Sequence, residues 1–301
     1  MFTNFKSIIE HIQSSGIKKT AAIAAAQDQD VLSSAFEARK LGIMDFVLVG
    51  DAEKIESILN ELGSSPSDWE IIDEKDEAKA ANIVAGMVYD KQVDMPVKGI
   101  LHTSIYLKSL LNKERGLLAD KALLSHVETF ENTNTNKFLL VTDGVINVTP
   151  DYNDKIKIIN NAVAFAHSLG IETPKVAVLA AVETVNPAMQ ECVDAAMLCK
   201  AADRGQIKGC EIDGPLALDL ALSEEAAVTK GVKSAVAGNA DILVVPSLVT
   251  GNILIKSIKY LAGFQSTGSM LGSKTPFIAT SRSDSMQNKL NTIALSILQT
   301  M

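Results

Sequence analysis

Along most of this chain a short apolar run is followed by an amphipathic segment, and then by another short run. The runs at 20–26, 46–50, 70–73, 99–102, 138–144, 175–181, 240–246 and 276–280 have the length of strands, and several are too uniformly apolar to have a wet face. Between them, residues 28–41, 52–62, 76–91, 153–169, 187–202 and 251–262 carry apolar side chains at helical spacing, as at Ala80, Ile83, Val84 and Met87. A further helix runs through Leu107 and Leu111, and another starts near Asn288. Strands buried on both faces, alternating with helices, are the pattern of βαβ units and a parallel sheet. The punctuation agrees: Asp28 or Asp30 is placed to cap a helix that Gly42 ends, and Gly63 and Gly170 stop two more. A chain of 301 residues with 47% hydrophobic content can fill two such α/β domains. The polar, turn-prone stretch 131–137 is the linker candidate, so a domain boundary is expected there.

The charge balance narrows the partners. The formal net charge is −8, which disfavours nonspecific nucleic-acid or membrane binding, although a local cluster of cations can still hold a small anion. No stretch approaches 18 uninterrupted apolar residues, and the N-terminus lacks the apolar core of a signal peptide, so a cytoplasmic location is expected. Cys192, Cys199 and Cys210 are an odd set, which suggests reduced thiols. Cys192 and Cys199 share a helix face, and no His lies near to complete a zinc set, so no metal is expected. No GxGxxG follows a strand, and GxxxxGK[ST], HExxH, CxxC and GxSxG do not occur, which counts against the common nicotinamide, P-loop and serine-hydrolase classes.

In open α/β sheets, ligands bind beyond the carboxyl ends of the strands. Four strand ends here carry polar groups: His102-Thr103-Ser104, Thr142-Asp143-Gly144, Glu183-Thr184-Val185-Asn186 and Ser281-Arg282-Ser283. Any one of them is equally well explained by turn chemistry; four together point to a shared site. Arg282 is one of only four arginines in the chain. A Ser-Arg-Ser run entering a helix could offer backbone N–H groups and a guanidinium fork to a phosphate, or Ser281, Ser283 or Asp284 could simply cap that helix. Gly251-Asn252 followed by Lys256 puts a close-approach glycine and a lysine on the start of another helix. Asp213 and Asp219 stand in an acidic turn that capping explains.

Taken in order, these segments resemble the phosphate acetyl/butyryltransferase family. The resemblance is clearest from Phe138 onward. It rests on TDGVINVTPD at 142–151, VETVNPAM at 182–189, EIDGPLALDLAL at 211–222, and the run 228–285 with its Ala-Gly-Asn-Ala-Asp turn, GN-I-x-x-K helix start and late Ser-Arg. The wording is nearer the family's butyryl members than its acetyl members. The resemblance implies two α/β domains of the isocitrate/isopropylmalate dehydrogenase-like fold with an interdomain active-site cleft. In that fold the chain returns at its end, so domain one would be 1–133 plus 281–301 and domain two 134–280.

The resemblance also implies acyl transfer between coenzyme A and phosphate: butanoyl-CoA + phosphate ⇌ butanoyl phosphate + CoA. No cofactor would be tightly bound; coenzyme A and its acyl thioester would be substrates, phosphate and acyl phosphate the other partners, and the assembly a homo-oligomer. Carried over by position, Ser281 and Arg282 are the phosphate clamp and Lys256 the phosphate-region lysine, while Lys108 stands where the family has an arginine. His102, Thr103, Glu183, Asn186, Gly251 and Asn252 would line the substrate cleft. Asn288 stands where acetyl members carry an aspartate proposed as base, which leaves Asp284, Glu183 and His102 as candidates to take the thiol proton. Other readings are an acetyl or other short-chain specificity, a related-fold acyl-phosphate-forming or metal-dependent dehydrogenase enzyme, and a noncatalytic acyl-CoA or phosphoester binder.

Overall fold

The structure is a computed structural model that describes residues 1–112, 117–119, 121–280 and 284–301. It divides the chain into two compact units, Phe5–Ala122 with Thr267–Met301, and Met1–Asn4 with Leu123–Ser266. Each unit is α/β.

The first unit opens with α1 (Phe5–Ser15) and then alternates: β1 (Lys19–Ala24), α2 (Gln29–Lys40), β2 (Met44–Gly50), α3 (Ala52–Glu61), β3 (Glu70–Asp73), α4 (Glu77–Tyr89), β4 (Met95–Lys98) and α5 (Thr103–Leu110). The strands pair in parallel in the order β3-β2-β1-β4. Ala21 to Ala24 of β1 are fully buried, as a continuous apolar run predicts for a strand covered on both faces. An aspartate caps each helix that follows the first three strands: Asp28 accepts from Val31 N (2.9 Å), Asp51 from Lys54 N and Asp76 from Lys79 N. Gly42, at φ +73°, ends α2 in the left-handed conformation that glycine adopts most readily. The chain moves from β1 outward through β2 to β3, then returns to the other side of β1 as β4. The direction of winding therefore switches between β1 and β4.

The second unit holds β5 (Ser125–Asn132), β6 (Lys137–Thr142), α6 (Tyr152–Ser168), β7 (Lys175–Leu179), α7 (Gln190–Asp203), β8 (Glu211–Leu216), α8 (Leu218–Leu222), α9 (Glu224–Thr229), β9 (Ile242–Val244) and α10 (Leu248–Ser257), which runs on as one π-helical turn (Ile258–Ala262). Its strand order is β5-β6-β9-β7-β8, with β5 and β6 antiparallel and the rest parallel. Phe130, Leu139, Val141, Leu216, Leu220, Leu243 and Ile255 belong to a core on one face of this sheet. The chain leaves the unit at the start of β10 (Ser266–Leu271) and ends in α11 (Met286–Leu298) in the first unit, where α11 packs on α1 and α2.

Several details differ from the sequence reading. Residues 131–137, expected as a linker, are the end and turn of the β5–β6 hairpin, where Asn132 pairs with Lys137 and Asn136 takes φ +52°. Asn-rich polar runs serve hairpin turns as well as linkers, because asparagine tolerates the left-handed region. The chain passes between the two units at Asn4/Phe5, Ala122/Leu123 and Ser266/Thr267. The fourth strand is Met95–Lys98, and the expected strand at 99–102 is the turn after it. A proline and a lysine hide Met95-Pro-Val-Lys from a search for apolar runs. Residues 276–280 form no full strand, but Ile278 bridges to Val97 in parallel.

Candidate active site

In the second unit, a polar knot forms where β6 ends. Asp143 is 2% exposed, so its charge must be met internally. Its carboxylate accepts from the backbone N–H of Val145 (2.9 Å), Ile146 (3.0 Å), His126 (3.2 Å) and Asn147 (3.4 Å), and from Asn147 Nδ2 (2.6 Å). This fixes the turn 143–147. Gly144 then lies against Gly251 of α10, and Asn252 Nδ2 donates to Gly144 O (3.3 Å). The expected pair Gly251-Asn252 is thus brought to the strand-end residues Asp143 and Gly144.

Lys256 is not near the start of its helix. Ser247 caps α10, accepting from Thr250 N, so the helix begins three residues before Gly251, and Lys256 is exposed in its last turn. Glu183 is half-buried and paired with Lys230 (3.8 Å), which also meets Asp219 (3.3 Å). Burial alone would raise the Asp219 carboxyl, but hydrogen bonding and the charge of Lys230 hold it below its usual range. Asn186 Oδ1 accepts from Ala188 N (3.0 Å), so this side chain shapes the turn into α7.

The same unit carries a cavity of about 640 Å³, lined among others by Asp151, Lys155, Gln190, Asp194, Ser247 and Thr250. In its wall Lys155 and Asp194 form a buried ion pair at 2.5 Å, and Gln190 Nε2 donates to the other Asp194 oxygen (2.7 Å). The sequence reading missed this pair. Its signal was a lysine at helical spacing from Ile158, Ile159 and Ala162, inside an otherwise apolar stripe. It also missed His126 and Glu128, buried on β5 with Nε2 and Oε2 3.7 Å apart, where Ser266 Oγ donates to Glu128 (2.6 Å).

In the first unit, His102 occupies the cap position of α5 without a side-chain cap bond, and Thr103 opens the helix; both are exposed. Lys108 is exposed in the last turn of α5, where a cation complements the helix dipole. Ser281, Arg282 and Ser283 lie outside the described residues. α11 starts at Met286 and Ser285 caps it, accepting from Asn288 N (3.2 Å), so the cap is Ser285 and not Asp284. Asp284 is half-buried, and its carbonyl accepts from Lys289 Nζ. Asn288 is the third residue of α11, and its carbonyl accepts from Thr292 (3.0 Å) and Thr267 (3.1 Å) hydroxyls.

Cys192 is buried and Cys199 and Cys210 are half-buried, and none of the three is joined to another. Burial, with Asp213 and Asp203 nearby, pushes Cys199 up to about 12, and burial pushes Cys210 up to about 11. Neither is a nucleophile at neutral pH. Among the described residues no three or more His, Cys, Asp or Glu cluster as a metal would require, and no helix is long and apolar enough to cross a membrane.

The family model described as phosphate acetyl/butaryl transferase matches residues 77–297. The phosphate butyryltransferase of Clostridium acetobutylicum is 46% identical over 298 residues, which is 99% of this chain and 98% of that one. Among solved structures, a branched-chain phosphotransacylase from Enterococcus faecalis superposes with a TM-score of 0.82 at 33% identity, covering 93% of this chain and 98% of that one. A 4-hydroxythreonine-4-phosphate dehydrogenase from Klebsiella pneumoniae, at 15% identity and a TM-score of 0.57 over 93% of this chain and 98% of that one, shares the fold alone. These matches, on a pair of α/β units whose polar groups gather at strand ends, establish that the chain belongs to the phosphate acetyl/butyryltransferase family.

Proposed function

We propose that this chain is a phosphate butyryltransferase, an acyltransferase that interconverts butanoyl-CoA and phosphate with butanoyl phosphate and CoA. The observation that carries this reading is the 46% identity to the Clostridium enzyme over 99% of this chain and 98% of that one. Coenzyme A and its thioester act as substrates, and no cofactor is held between turnovers.

In the direction of thioester synthesis, the CoA thiol gives up its proton and the sulfur attacks the butanoyl phosphate carbonyl. The C–S bond forms, the C–O bond to phosphorus breaks, and phosphate leaves with the electron pair. Ser281 and Arg282 hold that phosphate, with Lys256 and Lys108 adding positive charge; the planar guanidinium matches two phosphate oxygens. We assign acyl-CoA contacts to Gly251 and Asn252, which are tied to the Asp143 turn, and to Asn186 of the same unit. Of the proton acceptors, Glu183 is engaged by Lys230, whereas the exposed His102 ring is not engaged in capping. His102 is the acceptor we favour, as imidazole is the side chain most often used for general-base work. The raised cysteine thiols support direct transfer over an acyl-cysteine.

The enzyme works in the cytoplasm as a homo-oligomer. Val249 and Ile253, one turn apart on α10 and about 60% exposed, are followed by exposed Tyr260 and Leu261, an apolar stripe of the kind that subunits cover. The test of function is CoA release from butanoyl-CoA, followed with a thiol reagent. Release that requires phosphate, and is faster with butanoyl-CoA than with acetyl-CoA, is expected. No phosphate-dependent release with any acyl chain would overturn the transferase.

A further inference from the structure

At the amino ends of β1 and β4 the first unit carries a cavity of about 480 Å³, within the size range of small-molecule sites. Thr20 of β1, Tyr89 and Lys91 at the end of α4, Leu117, and Lys274 and Thr275 after β10 line it. Thr275 Oγ1 donates to Asp94 O (2.6 Å) and Lys274 N to Leu117 O (3.0 Å), which ties these walls together. β1 and β4 run parallel, with Ala21 beside Met95. The cavity is therefore at the opposite end of the sheet from the strand carboxyl ends, where open α/β sheets bind their substrates.

Lys91 stands where this chain otherwise puts glycine. Asp90 caps the end of α4, Lys91 N donates to Val88 O (3.1 Å), Gln92 N donates to Met87 O (2.9 Å), and Lys91 takes φ +57°. α2, α3, α6, α7 and α9 end in the same pair of bonds, and there the left-handed residue is Gly42, Gly63, Gly170, Gly205 and Gly231 in turn. Glycine takes this position freely, whereas a residue with a Cβ is strained in it. The backbone at 91 therefore favours glycine, and what lysine adds is a charged side chain that lines the cavity. The neighbouring charges leave it uncompensated. Asp94, the one carboxylate among the described lining residues, accepts from Thr20 N (2.8 Å) and pairs with Lys19 Nζ (3.3 Å). Neither Lys91 nor Lys274 has an ion-pair partner among the described residues.

Two unpaired lysines match a phosphate monoester, whose charge is about −2 at neutral pH, better than they match a carboxylate. The Tyr89 ring, 52% exposed, and the side chains of Val88, Val93 and Leu117 offer apolar surface to the rest of such a molecule. We infer that this cavity binds a small organic phosphate monoester with an aromatic or apolar body, its phosphoryl group on Lys91 and Lys274 and its body on Tyr89, at a site separate from the substrates. Nothing in this depends on the transferase reading. The test is isothermal titration calorimetry of the full chain with AMP and phenyl phosphate as probes. Adenosine and inorganic phosphate are the controls, and Lys91→Gly, Lys274→Gln and Tyr89→Ala are compared with wild type.

Wild type should bind a monoester saturably, and loss of one charge-assisted contact should weaken that binding about tenfold or more in Lys91→Gly and in Lys274→Gln. Tyr89→Ala should weaken it as well, and adenosine should show no binding that depends on the lysines. The melting temperature of Lys91→Gly should hold or rise, because glycine relieves the strained position, so lost binding there is not lost fold. The KM values for phosphate and butanoyl-CoA should stay within about twofold in both lysine variants, since one lost contact costs about tenfold where it is made. No binding of either monoester, or binding that the two lysine variants leave unchanged, would overturn the inference; the second result would place the probe in the coenzyme A site. Inorganic phosphate bound as tightly as the monoesters, and equally dependent on the lysines, would overturn the organic body. A protein inactive with every acyl-CoA would sink the transferase reading, and the titrations would still report on this cavity.

Discussion

Gly144 and Gly251 touch backbone to backbone: a Cβ on Gly251 would stand 2.7 Å from Gly144 Cα, and one on Gly144 would stand 2.8 Å from the Gly251 carbonyl carbon. Real Cβ atoms do not approach so closely, so even alanine at 251 must push α10 away from the 143–147 turn. We expect Gly251→Ala to cost about 1–3 kcal/mol in urea denaturation, the usual range for overpacking. Because Asn252 rides on the same turn of helix, kcat/KM should fall roughly 10–100-fold, as small displacements of positioned groups do. A variant with wild-type stability and turnover would show that the contact is not needed.

The Lys155–Asp194 pair makes a separable claim about stability. Both side chains are almost fully buried, so removing one partner strands the other. Asp194→Ala should lose about 3–5 kcal/mol, whereas Lys155→Met combined with Asp194→Leu should return to within about 1 kcal/mol of wild type, since apolar pairs often replace buried ion pairs without loss. A double-mutant cycle by chemical denaturation measures this. If the double variant is as unstable as Asp194→Ala, the pair does more than satisfy its own charges.

The sequence reading succeeded where one residue type has one structural use. The alanine run of β1, the Asp28 cap and Gly42 follow directly from burial and backbone preference. It failed where a residue type has two. The asparagines at 132–136 fit a linker or a hairpin turn, and only pairing across β5 and β6 decides. β5 itself carries Ser125, His126, Glu128 and Thr129, and a strand that buries such polar groups has no apolar signature. Lys98 was hidden for the same reason, because a lysine in sequence reads as solvent-exposed. On the site, the strand-end rule brought forward Asp143 and His102 and the close-approach reading Gly251, while Lys256 was placed at the wrong end of α10 because the Ser247 cap lies before the glycine.

Cys199 and Cys210 predict a slope in stability at alkaline pH. An unfolded thiol ionises near its ordinary 9.0, while the folded protein holds these two protonated up to about 12 and about 11. Folded pKa values above the unfolded ones mean that the contribution is fully present below about pH 9 and is lost as pH rises through 11 and 12. The denaturation midpoint should therefore decline between pH 9 and 10.5, and the decline should be shallower in the Cys199→Ala, Cys210→Ala double variant. At neutral pH, iodoacetamide should modify both slowly and leave turnover intact.

Arg282 is the arginine assigned to the departing phosphate. Its replacement by alanine should lower kcat by on the order of 100-fold or more, the usual effect of removing transition-state charge stabilisation. The melting temperature should stay close to that of wild type. Near-normal turnover in a folded Arg282→Ala protein would remove it from the reaction.

Asn288 poses the sharpest question about the thiol proton, because the family resemblance implies an aspartate at that place in acetyl members. Here it is the third residue of α11, three residues after the Ser285 cap and still in the first turn, where the helix end carries partial positive charge. An aspartate there would be stabilised as the anion. That strengthens the helix by about 0.3–1 kcal/mol but weakens the carboxylate as a base. Asn288→Asp should therefore raise the melting temperature slightly and leave kcat within about threefold of wild type across the pH range, since a weaker base gains little proton-transfer drive. His102→Gln, by contrast, should depress kcat by about 100-fold, the usual size of a lost general base. A tenfold or greater gain in Asn288→Asp, with His102→Gln unaffected, would move the proton acceptor from the α5 cap to α11.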